Sequence, residues 1–203
     1  MAANAAQADP LVVTTDVNCT ILDYGILSPK PGKFADSGPP KLTARILTPK
    51  GSDSAKKLIA AEAAAKQERW GNRPPVGFRS AIIDGDAVDG AGQRVHPDYY
   101  AGMIAVTAKA AVDRAPTCWV GKERRKAEPS DFYSGMQGAA VVRAFAYDRE
   151  SRGVSFGLNL IWKTGPGTKI ATGGVDAEAS ALSMASQVSW SDDSNLAGSD
   201  ALS

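Results

Sequence analysis

The sharpest alternation of apolar and polar positions in this chain runs through residues 140–163. From position 154 onward, apolar side chains take every second position and mostly small or polar ones fall between them, which predicts a strand with one buried face. The positions predicted to be buried are Val154, Phe156, Leu158, Leu160 and Trp162. Residues 140–147 are also strand-like, and a charged segment separates the two runs. The pattern therefore predicts a β-hairpin.

The first strand of this hairpin has two dissimilar faces. One face carries Val141, Arg143, Phe145 and Tyr147, and the other carries Ala140, Val142, Ala144 and Ala146. If the alanine-containing face packs inward, Arg143, Phe145 and Tyr147 face solvent or a ligand. If it does not, Phe145 and Tyr147 fill the core, and Arg143 has to extend out of an apolar face. Periodicity leaves both arrangements open.

Arginine beside aromatic rings on a strand surface suits single-stranded nucleic acid. The rings stack on bases and the guanidinium neutralises a phosphate, and neither contact requires a particular sequence. Arg143, Phe145 and Tyr147 are therefore candidate nucleic-acid contacts.

The rest of the chain predicts further strands and one helix. The strand-like runs are 17–27, 41–47, 79–83, 99–110 and 117–120. Residues 52–70 form an alanine-rich helical segment, with Ser52 or Asp53 available as its cap and Gly71 at its end. Proline- and glycine-rich stretches separate these elements. The predicted fold class is mainly β with a single α-helix and long loops.

Composition supports one domain with loose ends. A chain of 203 residues with 43% hydrophobic content can bury one sizeable core. We expect a flexible N-terminus over 1–16, a folded domain over 17–175 and a disordered acidic tail over 176–203. No apolar run is long enough to cross a bilayer and the N-terminus does not resemble a signal peptide, so we expect a soluble, cytoplasmic protein with no membrane partner.

Charge is segregated along the chain, although the net charge is only +1. Residues 1–175 carry all 23 basic residues and 17 of the 22 acidic ones, a net charge of +6, whereas 176–203 carry five acidic residues and no basic one. An anionic tail beside a cationic body can compete with a polyanion for the same surface, or it can present a motif to a replication or recombination protein.

The densest basic cluster follows the predicted strand at 117–120. It contains Lys122, Arg124, Arg125 and Lys126, and the residues Lys109, Arg114 and Trp119 precede it. These residues form a candidate nucleic-acid-binding region, called the basic lip, in which Trp119 could stack on a base. The simpler interpretation is an ordinary exposed charged loop.

The residues needed for catalysis or metal binding are scarce. His96 is the only histidine, no nucleophile or phosphate-loop motif accompanies it, and Cys19 and Cys118 lie far apart without a ligand pattern. The acidic loop 84–89 contains three aspartates but does not reproduce a calcium-binding loop. We therefore expect no cofactor, no metal and no enzymatic activity. A metal-dependent nuclease that uses Asp84, Asp86 and Asp89 is the remaining enzymatic alternative.

Several segments occur in an order that resembles one family. They include Asp84-Gly85-Asp86, Tyr100-x-Gly102, Phe132-Tyr133-Ser134-Gly135 and the hairpin from Ala144 to Asn159. Over roughly residues 17–174 the chain is similar to the single-stranded-DNA-binding proteins of tailed phages and prophages that were formerly catalogued as a domain of unknown function.

This resemblance implies a fold and a function. The implied fold is an oligonucleotide/oligosaccharide-binding (OB) fold, a five-stranded Greek-key barrel that holds single-stranded DNA in a cationic groove with aromatic stacking. The implied function is sequence-nonspecific binding and protection of single-stranded DNA during phage replication or recombination. Tyr100 and Tyr133 are candidate contacts because they match motif positions of the family. An RNA-binding module and a recombination-mediator module remain alternatives.

Overall fold

The fold is built mainly from β-strands. The structure, a computed structural model, describes residues 9–29, 39–148 and 151–171. Within these ranges the strands are β1 Val12–Thr14, β2 Cys19–Asp23, β3 Lys41–Pro49, β4 Ile82–Asp84, β5 Met103–Ala111, β6 Thr117–Val120, β7 Arg125–Lys126, β8 Met136–Asp148 and β9 Arg152–Gly165. The helix α1 spans Asp53–Trp70. The mainly β class with one helix is confirmed, whereas the predicted acidic tail, 176–203, lies outside the described residues.

The helix forms where the sequence predicts it. The Ser52 side chain accepts a hydrogen bond from the Ala55 amide at 3.1 Å, which caps the first turn. Gly71 ends the helix with a φ of 59°, a conformation that side chains disfavour. Small and apolar residues on one side, with Leu58 at 0% exposure, pack into the main hydrophobic core. None of the helices in the described part of the chain has the length and hydropathy required to span a bilayer.

Five strands pair into a closed ring. β2 pairs with β3 and β8, and β3 pairs with β5, all antiparallel. β5 runs parallel to β9, and β9 pairs antiparallel with β8 along the whole hairpin, which completes the ring. The ring encloses the main core, where Ile21, Ile46, Val106, Val142 and Phe156 are each 0% exposed. Functional side chains must therefore lie on its outer surface or at its ends.

Shorter strands extend this ring. β4 pairs with β5, and β6 and β7 continue the sheet beyond β9. β1 pairs with β8 and places Val12 opposite Arg143. β1 lies within the segment 1–16 that is predicted to be flexible, and its three residues carry too little periodicity to predict a strand.

A β-bulge corrects the predicted pattern of buried residues in β9. Val141 lies opposite Leu160, but the next residue, Val142, lies opposite Leu158, so Asn159 is unpaired. This extra residue reverses the facing of every later side chain. Val154, Phe156 and Leu158 are buried as predicted, whereas Leu160 and Trp162 are only partly buried and Ile161 takes the inward position at 0% exposure.

Candidate nucleic-acid interface

The register of β8 decides between the two arrangements that the sequence left open. Ala140, Val142 and Ala144 are each 0% exposed and face the core. Arg143 and Phe145 consequently face outward, with Phe145 45% exposed and Tyr147 partly buried. The alanine-containing face is the inner one, and the arginine and aromatic side chains lie on the outer surface.

Small residues of β9 lie beside these outward side chains. Tyr147 lies opposite Gly153, Phe145 opposite Ser155 and Arg143 opposite Gly157. A Cβ added at Gly157 would lie 3.9 Å from the Phe145 ring, and one at Gly153 would lie 2.8 Å from the Tyr147 hydroxyl oxygen. The glycine and serine positions leave space beside the rings, which creates a shallow surface with flat apolar faces.

Two cations flank this surface at one level of the sheet. Arg143 lies opposite Gly157 on β9, Gly157 lies opposite Lys109 on β5, and Lys109 lies opposite Thr43 on β3. Because neighbouring strands are about 4.8 Å apart, Arg143 and Lys109 are separated by roughly 10 Å at the backbone, with Gly157 between them. Lys109 is exposed, whereas its neighbours Ala108 and Ala110 are buried. This arrangement places two positive charges on either side of Gly157, next to Phe145, where they can neutralise phosphates.

A carboxylate of the N-terminal segment already contacts this surface. Nη1 of Arg143 donates to Oδ2 of Asp9 at 2.5 Å, and both side chains are about half exposed, at 48% and 42%. The pKa of Asp9 is lowered by the hydrogen bond from the Leu11 amide and then by the bond from Arg143. Asp9 therefore stays ionised at neutral pH, and an incoming phosphate has to compete with it for Arg143.

The predicted basic lip is a second region, around β6 and β7. The Arg124 guanidinium lies 5.8 Å from the centroid of the Trp119 ring, within cation–π range. Arg125 forms an ion pair with Asp131 at 2.6 Å, which raises the pKa of Arg125 and lowers that of Asp131. The remaining predicted cations of this part of the chain are exposed, namely Lys122, Lys126 and Arg114. Apart from Tyr100, the predicted contact residues thus lie in two regions along β9.

Tyr133 lies at the edge of the lip and is partly buried against the main core. The Lys163 ammonium stands 4.6 Å from the centroid of its ring and donates to the Asp131 carbonyl oxygen at 2.5 Å. One face of the Tyr133 ring is therefore occupied by a lysine, and a base has access to less of it than the sequence suggested.

Tyr100 requires a correction, because it is 1% exposed and offers no face to a base. Its hydroxyl accepts a hydrogen bond from Nη1 of Arg45 at 2.6 Å, and its ring stacks on His96 with 5.1 Å between centroids. Together with Leu22, Leu47 and other residues, it forms a second small core outside the ring. His96, the only histidine in the sequence, is partly buried against this tyrosine.

The acidic loop is also structural. The Lys50 ammonium pairs with Asp84 at 2.5 Å and Asp86 at 2.7 Å, and it lowers the pKa of both carboxyl groups. A carboxylate oxygen of Asp86 accepts the Gly102 amide at 2.9 Å, so the Asp-Gly-Asp motif and the Tyr-x-Gly motif pack on one another. Within the described ranges, no group of three metal-ligating side chains comes together.

Arg45 and Tyr24 form a further cation–aromatic pair, which the sequence did not predict. The Arg45 guanidinium lies 5.1 Å from the centroid of the Tyr24 ring, and its Nε donates to the Thr107 hydroxyl at 3.0 Å. Burial raises the pKa of Tyr24 to about 12. In β3, Lys41, Thr43 and Arg45 alternate with the buried Leu42, Ala44 and Ile46. This alternation is the sequence pattern from which the position of Arg45 could have been predicted.

Comparison with known proteins identifies a family and a fold. Residues 14–189 match the profile of the family described as the single-stranded-DNA-binding protein of Enterobacter phage Enc34. A structure of the bacteriophage Enc34 protein in complex with single-stranded DNA is 21% identical, covers 79% of this chain and 90% of that chain, and superposes with a TM-score of 0.62.

Two further structures of that phage protein give similar values. One is 20% identical, covers 84% of this chain and 90% of that chain, and has a TM-score of 0.61. A C-terminal truncation is 21% identical, covers 79% and 88% of the two chains, and has a TM-score of 0.60. The shared fold is therefore that of a phage single-stranded-DNA-binding protein. No curated protein sequence matches the chain significantly.

Proposed function

This chain belongs to the Enc34 family of phage single-stranded-DNA-binding proteins, and we propose that it binds single-stranded DNA without sequence preference on the outer surface of β8, β9 and β5. The observation that carries the proposal is the register of β8, which turns Phe145 outward at 45% exposure and Arg143 outward beside it. Lys109 supplies a second cation at the same level of the sheet.

The fold proposed for this function is the OB fold. In this assignment, β2, β3, β5, β8 and β9 are the five strands of its Greek-key barrel. The parallel pairing of β5 with β9 and the antiparallel pairing of the other neighbours support the assignment. The aromatic and basic side chains then lie on the outer wall, where a single strand has access to them.

Binding on this surface combines stacking with charge neutralisation. Phe145 and Tyr147 offer ring faces to bases, and every base has a π-face, so stacking tolerates any sequence. Arg143 and Lys109 would neutralise phosphates and release counterions. For single strands, the slope of log K against log salt is about −0.7 per neutralised phosphate. Affinity should therefore fall steeply as the salt concentration rises.

In the cell, such a protein would coat and protect phage DNA during replication or recombination in the host cytoplasm. The segment 176–203 carries a net negative charge, whereas the rest of the chain carries a net positive charge. This difference supports a role for the segment as a competitor for the DNA surface or as a contact for a replication protein. Deleting 176–203 should tighten binding at low salt if the tail competes. Unchanged affinity would exclude competition.

The proposed role requires no catalysis. The nuclease alternative needs Asp84, Asp86 and Asp89 free for a metal, whereas Lys50 pairs with the first two of them. Incubation of end-labelled single-stranded DNA with the protein and Mg²⁺ or Mn²⁺ tests this directly. We expect the DNA to stay intact, and cleavage that is lost in an Asp84→Asn/Asp86→Asn variant would favour the nuclease.

The binding surface is tested by fluorescence anisotropy of labelled single-stranded DNA at several salt concentrations, with unlabelled duplex DNA and RNA as competitors. The double variant Arg143→Gln/Lys109→Gln removes two proposed phosphate contacts. The double variant Lys57→Gln/Arg73→Gln removes the same charges at exposed positions elsewhere and serves as the matched control.

The first double variant should bind more weakly, and its salt slope should be smaller by about 1.4. The control should keep the wild-type slope. Equal behaviour of the two variants would show that the surface is assigned wrongly. If RNA competes better than DNA, the RNA-binding alternative is correct.

A further inference from the structure

Two tryptophans lie side by side on the outer surface, beyond the bulge in β9. Trp162 lies opposite Trp119 in the parallel pairing of β9 with β6. The residues next to them, Ile161 at 0% and Cys118 at 7% exposure, face the core. Because side chains alternate along a strand, Trp119 and Trp162 point outward, on the same side of the sheet as Phe145.

These side chains are not needed to fill a core. In the part of the chain that the structure describes, neither Trp119 nor Trp162 packs against either hydrophobic core. The indole Nε1 of Trp162 donates to the Gly121 carbonyl oxygen at 2.9 Å, which fixes the ring and satisfies its polar atom. Large aromatic side chains that lie partly exposed outside a core are typical of binding surfaces.

A cation without a carboxylate partner lies beside them. Among the described residues, no acidic side chain lies within ion-pair distance of Arg124, whereas its neighbour Arg125 is paired with Asp131. The turn holds Arg124 at a φ of 52°, which is uncommon for a residue with a side chain, and its guanidinium lies 5.8 Å from the Trp119 ring. A phosphate beside the tryptophans would therefore find an available positive charge.

We propose that Trp119, Trp162 and Arg124 form a second base-stacking subsite, which binds the same single strand at the far end of β9. The inference rests on the proposed function. Gly157 and Trp162 are five residues apart on β9, a distance of roughly 16 Å at about 3.3 Å per residue. A single strand that lies along β9 therefore reaches the tryptophans only if it is long enough to extend beyond the surface around Phe145.

The test is a length series of oligothymidylates of about 4 to 16 nucleotides, the range of site sizes known for OB folds. Trp162→Leu removes the stacking ring and keeps an apolar side chain. Trp119→Leu and Arg124→Gln are second and third variants, since neither side chain packs into a core. Trp70→Leu is the control, because Trp70 packs edge-to-face on Phe78, with 5.9 Å between centroids, and against the main core.

Wild type and variants should bind the shortest oligomers equally. Each tryptophan variant should lose about 5- to 150-fold in affinity for the longest ones, the range that corresponds to one stacked base. Tryptophan fluorescence gives an independent readout. Long oligomers should quench the wild-type emission more than short ones, and this difference should shrink in the Trp119 and Trp162 variants but persist in the Trp70 variant.

The outcomes separate this inference from the proposed function. If wild type binds no oligomer, the proposed function fails. If Phe145→Ala weakens binding while the three subsite variants match wild type at every length, the function stands and the second subsite is excluded. An equal loss of affinity at all oligomer lengths also overturns the inference, because it would place the tryptophans in the same binding region as Phe145. If Trp162→Leu does not fold, the other two variants decide the matter.

Discussion

Phe145 and Phe156 provide a direct test of the two faces of the β8–β9 hairpin. Phe145 lies on β8, faces outward and is 45% exposed, whereas Phe156 lies on β9, faces the core and is 0% exposed. The same substitution to alanine at the two positions should therefore give opposite results in binding and in stability.

The stability effects follow from burial. Burying a phenylalanine side chain completely contributes about 1.5 to 3 kcal/mol. Phe145 is roughly half buried, so Phe145→Ala should lower the free energy of unfolding by only about 1 kcal/mol. Phe156→Ala removes a ring from the closed core and leaves a cavity, which should cost about 3 to 5 kcal/mol.

The binding effects should be reversed. Loss of one stacked base costs about 1 to 3 kcal/mol, which corresponds to a 5- to 150-fold weaker affinity of Phe145→Ala for single-stranded DNA. Phe156→Ala should bind with nearly wild-type affinity at temperatures where it is folded, since its ring does not reach the outer surface.

Urea unfolding followed by circular dichroism measures stability, and anisotropy of labelled single-stranded DNA measures affinity. Both assays should be done at the same salt concentration, because salt alters affinity independently of the substitutions. A folded Phe145→Ala that binds with wild-type affinity would refute the assignment of the DNA surface. A loss of about 3 kcal/mol in its stability would refute the register argument itself.

Three further predictions concern other contacts. Asp9→Asn removes the carboxylate that pairs with Arg143, so single-stranded DNA should bind more tightly at low salt in the anisotropy assay. Weaker binding would mean that Asp9 orients the arginine instead. Gly85→Ala should destabilise the fold because its Cβ would lie 2.0 Å from a backbone oxygen, whereas the Cβ of Gly90→Ala would meet nothing within 4 Å. Thermal melts should show a lower melting temperature for Gly85→Ala only. Lys50→Met should lower stability at neutral pH. Because Lys50 lowers the pKa of its two carboxylate partners, the difference from wild type in urea unfolding should shrink as the pH falls below their ordinary value of 3.8, and a difference that is equal at pH 7 and pH 3 would contradict this.

Of the four segments that carry the family resemblance, only the hairpin from Ala144 to Asn159 contributes to the candidate DNA surface around Phe145. Gly85, Asp86 and Gly102 hold a loop against the second core, and that core buries Tyr100. The Ser134 hydroxyl accepts a hydrogen bond from the Asp23 amide of β2, so the motif Phe132–Gly135 also has a structural contact. The family is confirmed, and these three short motifs have structural contacts in the fold.

The bulge at Asn159 could not be recognised from the sequence. The alternation of apolar residues continues through Leu158, Leu160 and Trp162, so the local pattern predicts an uninterrupted strand. Only the pairing with Val141 and Val142 shows that Asn159 is unpaired. Side-chain facing beyond a bulge depends on the partner strand, which lies outside any local window.

The sequence by itself determined the elements that depend on local interactions. The capped alanine-rich helix and the two strands of the hairpin follow from side-chain spacing and from the residues at their ends, and their order carries the family resemblance. Those features involve residues within a few positions of one another, so a linear pattern is sufficient to identify them.

The tertiary structure decided which face of each hairpin strand points outward. Ala144 lies opposite Phe156 inside the ring, and Phe145 lies opposite Ser155 outside it. A closed core has a fixed volume, so the large ring of one strand requires a small partner on the next. This complementarity directs the alanines of β8 inward and leaves its arginine and aromatic side chains on the surface. It becomes visible only when the register between the two strands is known.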